Sequence, residues 1–123
     1  MNNLNEYLRF RDKFKELIET DRMYTIRELD HEIAAGDVQF WSCDNSAMVT
    51  RIVHHDGADR IGQADWVVGD IDEIVAELIP QAETGFWKAG CARIMFEGRL
   101  GWKRILKGHG YRDYSVTLIK DAV

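Results

Sequence analysis

Proline occurs once in the 123 residues and cysteine twice, and no apolar run approaches the roughly 20 residues that a membrane-spanning helix needs. Each scarcity excludes something. With Pro80 alone there is no Pro-rich linker, and the lack of Ser/Gly-rich or single-letter tracts leaves no low-complexity segment. Cys43 and Cys91 lie far apart in apolar, strand-like surroundings (FWSC and GCARIMF), so they read as reduced core cysteines in a reducing compartment. Basic charge is also short: 16 basic against 21 acidic side chains give a formal charge of −5, which disfavours nonspecific attraction to nucleic acid or an anionic membrane surface. The opening residues MNNLNEYLRFRDKFKEL carry charges every few positions in place of an apolar signal core, so neither secretion nor membrane insertion is expected and a cytoplasmic setting is.

What is present is a globular balance of 46% hydrophobic and 30% charged residues, in a length that fits one domain spanning 1–123. Three parts follow one another. Over 1–36 the periodicity predicts two helices. Leu4, Tyr7, Leu8, Phe14, Leu17 and Ile18 share the inner face of the first, which Phe10 fits poorly. The second opens at Thr25, with capping-box spacing to Glu28, turns Ile26, Leu29 and Ile33 inward and stops at Gly36. Over 37–69 the period becomes that of strands, VQFWSC, SAMVTRIVHH and RIGQADWVV, separated by the turns at Asp44-Asn45 and HDGAD, which reads as an antiparallel meander.

Over 70–119 the pattern is helix, strand, helix, strand. Asp70 and Glu73 have capping-box spacing, and Ile71, Ile74, Val75, Leu78 and Ile79 form an inner stripe. Pro80 should kink or divide this helix before Ala82, Phe86 and Ala89 continue the stripe to Gly90. CARIMF is a short strand expected parallel to the one containing Trp66 through Val68, because a helical crossover separates them. LGWKRILK is a helix with Trp102, Ile105 and Leu106 inward, and YRDYSVTLI a final strand. The expected fold is α/β with a mixed, mainly antiparallel sheet and helices on both faces.

The segment GCARIMFEGRLGWKRILKGHGY, Gly90 to Tyr111, resembles the closing part of a GNAT acyltransferase domain, where a strand leads to a short helix that ends at a Gly-aromatic pair, here Gly110-Tyr111. More narrowly, SAMVTRIV, GCARIMFEGRLGW and KGHGY resemble small GNAT-like proteins of tailed phages and prophages, a group that includes virion-morphogenesis and internal virion proteins. The likeness implies the GNAT fold and an acyl-CoA-binding ancestry. Two departures set the functional expectation. GNAT enzymes hold the diphosphate of CoA on a Gly-rich loop and a helix N-terminus; here that stretch is WVVGDIDEI, where Gly69 alone matches and Asp70, Asp72 and Glu73 crowd the helix start. Many GNAT enzymes also carry a tyrosine four positions before the Gly-aromatic pair, and here that position is Leu106, which cannot transfer a proton.

The leading expectation is therefore a non-catalytic interaction or virion-assembly component, with no assigned catalytic residue, no cofactor, and protein partners such as phage structural proteins, in the host cytoplasm or the virion. The alternative is an acyl-CoA-dependent N-acetyltransferase in which the backbone of Val67, Val68 and Gly69 holds acetyl-CoA. A basic nucleic-acid module fits less well, since no aromatic/basic alternation accompanies the acidic balance. Arg99, at the strand-to-helix turn, recurs at four-residue spacing with Lys103 and Lys107 of the last helix, with Arg104 beside them; the plain reading is a solvated face, and the sharper one an anion or acidic-partner contact. His54-His55 with Asp56 and Asp59 read as a solvated hairpin end, not a metal site, because neighbouring strand residues point to opposite faces. Trp41, Trp66, Trp87 and Trp102 read as core or interface aromatics.

Overall fold

The computed structural model describes residues 4–98 and 100–122. Helix α1 (Leu4–Glu19) buries Tyr7, Phe10, Phe14 and Ile18. Phe10 is thus a core residue, contrary to the expectation, and Leu4 and Leu8 are exposed. At 100° per residue those two leucines lie roughly 80° and 120° around the axis from the buried line, so the aromatic positions define the face that packs. Arg9 further covers the Phe10 ring, its Cζ 4.2 Å from the centroid. Helix α2 (Ile26–Ala35) forms as its caps predict: Thr25 Oγ1 accepts from the Glu28 N–H, Gly36 closes the far end in the left-handed conformation, and Ile26, Leu29 and Ile33 are buried. The helices are joined by Asp30, which accepts from the Tyr7 hydroxyl at 2.6 Å and pairs with Arg11 at 2.8 Å.

The sheet has the order β1 (Gln39–Ser42), β2 (Ser46–His54), β3 (Arg60–Gly69), β4 (Arg93–Phe96). The first three strands are the antiparallel meander, and β4 runs parallel to β3. β2 is covered on both faces, which is why Ser46 through Thr50 are all buried. The two polar members are satisfied: Thr50 accepts from Trp41 Nε1 at 2.8 Å and donates to Gln39 at 3.0 Å, while Ser46 donates to Glu73. Tyr7, Phe14, Leu29 and Ile33 pack on one face with Ala47 and Val49. Met48 and Ala64 point to the other, against Ile74, Leu78, Phe86 and Leu106.

Between β3 and β4 the chain is helical without interruption over 71–88, here α3, made of Ile71–Glu73, a π turn at Ile74–Leu78 and Ile79–Lys88. Pro80 does not divide it. The wider turn just before the proline, in which the Ile79 N–H bonds to the Ile74 carbonyl, is how the ladder accommodates a residue with no donor. Ile71, expected inward, is exposed: side chains lean toward the helix N-terminus, and at the first position no preceding turn lies beneath it. Helix α4 (Leu100–Lys107) buries Leu106, whereas Trp102 and Ile105 are only half-buried.

The expected final strand is absent. Residues 111–122 carry neither helix nor strand, because a strand needs a neighbour to bond with and this segment lies against none. Among the described residues no helix is long and apolar enough to cross a membrane.

Candidate functional site

β3 has two edges with different histories. Along one it bonds to β2 over its whole length, from His54↔Arg60 to Ser46↔Gly69. Along the other it bonds to β4 only from Ile61↔Arg93 to Ala64↔Phe96. From Asp65 to Gly69 that second edge has no strand beside it among the described residues. The expected parallel pairing is therefore present, but it joins the first half of β3 and leaves the Trp66 to Val68 stretch open.

The strands part at an irregularity. The register shifts between Val49↔Trp66 and Thr50↔Ala64, so Asp65 is an extra residue on β3. Such a bulge lets two successive side chains share a face, and Asp65 and Trp66 both turn toward α2. Asp65 there accepts from Arg51 Nε and from Gln63 at 2.7 Å. Arg51 reaches onward to Glu32 of α2 at 2.8 Å, and Glu32 accepts from the Tyr24 hydroxyl, whose ring stacks on Trp66 at 5.7 Å. Burial works against the Arg51 charge, yet Asp65 and Glu32 together leave its pKa raised. Burial and Glu32 also push the Tyr24 phenol well above its ordinary range, so it remains a proton donor to that carboxylate.

On the opposite face, below the parting of β3 and β4, lies an apolar crevice bounded by Met48, Ala64, Phe86, Phe96, Glu83 and Tyr111, with room for about one water molecule. Tyr111 donates to Glu83 at 2.8 Å. Burial and that carboxylate raise its pKa far above the usual phenol range, so it stays a phenol that donates to Glu83. Leu106 sits in the apolar core. Trp102 packs on Phe96, with ring centroids 5.2 Å apart.

Val67, Val68 and Gly69 form the end of the open edge, Val67 packing toward the α3 face and Val68 toward α1 and α2. Gly69 has φ +114°, and a Cβ there would meet the Asn45 carbonyl oxygen at 2.1 Å. Only glycine fits that approach to the β1–β2 turn. The start of α3 is fastened to the same turn. The Asp70 N–H bonds to the Asn45 carbonyl at 3.0 Å, and the Glu73 carboxylate accepts from the Asn45 N–H at 2.9 Å and from Ser46 Oγ. These donors hold the Glu73 carboxyl below its usual range. Asp70 caps the helix by accepting from the Glu73 N–H at 3.2 Å. Carboxylates thus occupy the helix start where an anionic ligand would need free donors.

The other candidates lie apart. Lys103 pairs with Asp113 at 2.9 Å, Arg104 and Lys107 are exposed, and Arg99 lies outside the described residues. His54 and His55 are exposed as expected, with His54 Nε2 3.1 Å from the Ala58 carbonyl, and no metal-holding group occurs among the described residues. Cys43 and Cys91 are free thiols whose pKa burial raises, which makes neither a ready nucleophile. The sequence reading missed Asp65, Arg51, Glu32 and Tyr24. A period-2 count that broke at Asp65-Trp66 was the one available signal of the bulge.

No family model matches the chain, and no curated protein matches it. Solved structures do. An acetyltransferase of Trypanosoma brucei superposes with a TM-score of 0.70 at 13% identity, over 96% of this chain and 94% of that one. The glucosamine-6-phosphate N-acetyltransferase of Arabidopsis thaliana gives 0.69 at 11% identity, over 97% and 93%. The chain has the GNAT fold. A third GNAT-fold likeness, described as a predicted acetyltransferase of Clostridium acetobutylicum with acetyl-CoA, gives 0.66 at 10% identity, over 97% and 90%. The expectation of a phage or virion role draws no support from these likenesses.

Proposed function

We propose that this chain is an N-acyltransferase that takes its acyl group from acetyl-CoA or a related acyl-CoA, the donor's pantetheine arm lying along β3. One observation carries the reading: from Asp65 to Gly69 the strand presents an unpaired edge beside the bulge. An extended chain that contains amides can bond to such an edge as an added strand would. Bound there, an acyl thioester supplies an activated carbonyl at which an amine forms a C–N bond as the C–S bond breaks, the proton lost by nitrogen ending on the departing thiolate. Asp65, the carboxylate at the bulge, is held by Arg51 and Gln63 and fixes the irregularity beside which that edge lies open.

The diphosphate end of the donor fits less well. Asp70, Asp72 and Glu73 surround the α3 start, so donor affinity is low and rests on the pantetheine arm. Isothermal titration with acetyl-CoA tests both halves. A dissociation constant in the range of about 0.1–1 mM, roughly −4 to −5.5 kcal/mol, is expected for the unmodified chain. Asp70→Asn with Asp72→Asn, which retains a good helix cap, should tighten it several-fold at low salt. No heat at about 10 mM acetyl-CoA in either protein would overturn the reading.

The same acidic helix start, with Leu106 in place of a phenol, favours a second reading: a GNAT fold without transfer, working through a protein partner at the basic face of Lys103, Arg104 and Lys107. Acyl transfer to any amine panel member, seen by mass spectrometry, separates the two.

A further inference from the structure

The sheet ends at β1, which has β2 on one side and, among the described residues, no strand on the other. Which of its backbone groups stay free follows from the turn that leads to β2. The Cys43 N–H bonds to the Ser46 carbonyl at 2.9 Å, and bonded pairs alternate along an antiparallel ladder, so Trp41↔Met48 and Gln39↔Thr50 are the bonded pairs of β1. The N–H and C=O of Phe40 and Ser42 therefore face outward. The edge carries neither charge nor proline in QFWS, and no bulge breaks its register with β2, so the devices that commonly keep an edge from pairing are missing. It is also held stiffly from both faces. Phe40 meets the Tyr7 and Phe14 rings edge-on, while Trp41 donates to Thr50 at 2.8 Å and its ring lies so near Gly85 that a Cβ there would come within 2.4 Å. Both rings nonetheless remain only half-buried.

We propose that this edge pairs with the same edge of a second copy, antiparallel about a two-fold axis that passes beside Trp41. In that register Phe40 of each copy bonds to Ser42 of the other, so every outward donor of the strand meets an outward acceptor. Trp41 then stands opposite its own counterpart in a non-bonded pair, where side chains come closest, and each ring covers the part of the other that the single chain leaves open. A second copy is the occupant because the edge is complementary to itself: the operation that fills one β1 fills the other, and the pair closes. An edge already held by the packing of Phe40 and Trp41 loses little freedom on pairing. This inference is independent of acyl transfer, since β2 lies between β1 and the open half of β3.

Sedimentation of the full chain from about 1 to 100 μM, with residue-resolved amide hydrogen exchange at both ends of that range, tests it. The expected result is a monomer–dimer equilibrium in which the amides of Phe40 and Ser42 slow as concentration rises, while those of Gln39 and Trp41, bonded to β2, are slow throughout. Ser42→Pro removes an outward donor that β2 does not use, and should weaken the dimer at least tenfold while leaving the monomer's circular dichroism unchanged. A chain that stays monomeric at about 100 μM overturns the proposal, as does a dimer that Ser42→Pro leaves as tight as before. A dimer in which Phe40 and Ser42 exchange as fast as in the monomer overturns it too, and that readout uses the unmodified chain, so it decides even where the variant does not fold.

Discussion

From Ile61 to Ala64, β3 has a strand on either side; from Asp65 to Gly69 it has β2 alone. The paired half is packed closely enough that a Cβ on Gly62 would lie 2.5 Å from the Phe86 ring. The open half ends in a turn where Gly69 meets Asn45, and from Trp66 to Val68 its side chains alternate between the two cores. Close packing thus falls on one half of the strand and unpaired backbone on the other.

Perturbing the paired half should cost most. Phe86 is 2% exposed and sits over Gly62, so Phe86→Ala is expected to lose about 3–5 kcal/mol in urea titration. A loss below about 1 kcal/mol would contradict the assignment of this half as the anchor. Next in size comes α4, which leans on the end of β4. Trp102 is half-buried against Phe96, so Trp102→Ala should lose about 2–3 kcal/mol, while Lys103→Ala, which breaks an exposed ion pair, should stay within about 0.5 kcal/mol. Equal small losses would mean that the other face of α4 packs.

The smallest effect concerns pH. Ser46 and Asn45 hold the Glu73 carboxyl below its usual range, and Arg11, with Tyr7, does so for Asp30. A lowered folded pKa favours the native state above the unfolded value, near 4 for these groups, and that gain disappears as pH falls through the folded pKa. Melting temperature should therefore be level from pH 7 to about 5 as far as these two groups govern it, and fall below about 4. In Glu73→Gln the acid fall should be shallower. An identical acid limb in the variant would show that the tie between α3 and the β1–β2 turn contributes nothing.

How far the sequence discloses this division follows the range of the forces involved. Thr25 and Asp70 were readable as caps because each bonds only three residues away, and the meander because its turns are local. The parallel placement of β4 followed from the crossover helix. Its short register with β3 did not, since nothing in RIMF says where pairing stops. Phe10 was misplaced because several side chains on α1 compete for one face, and only the aromatic cluster of Tyr7, Phe14 and Phe40 decides among them. The network through Asp65 was hidden because Arg51 meets it from 14 residues away and Glu32 from a further element. The strand pattern of YSVTLI was real, but a pattern does not supply a neighbour.

Residue-resolved amide hydrogen exchange with and without acetyl-CoA tests the open edge most directly. Slower exchange of the backbone amides of 65–69 on adding acetyl-CoA, with those of 61–64 unchanged, is the predicted result. Bound acetyl-CoA that protects amides elsewhere and leaves 65–69 untouched would contradict it.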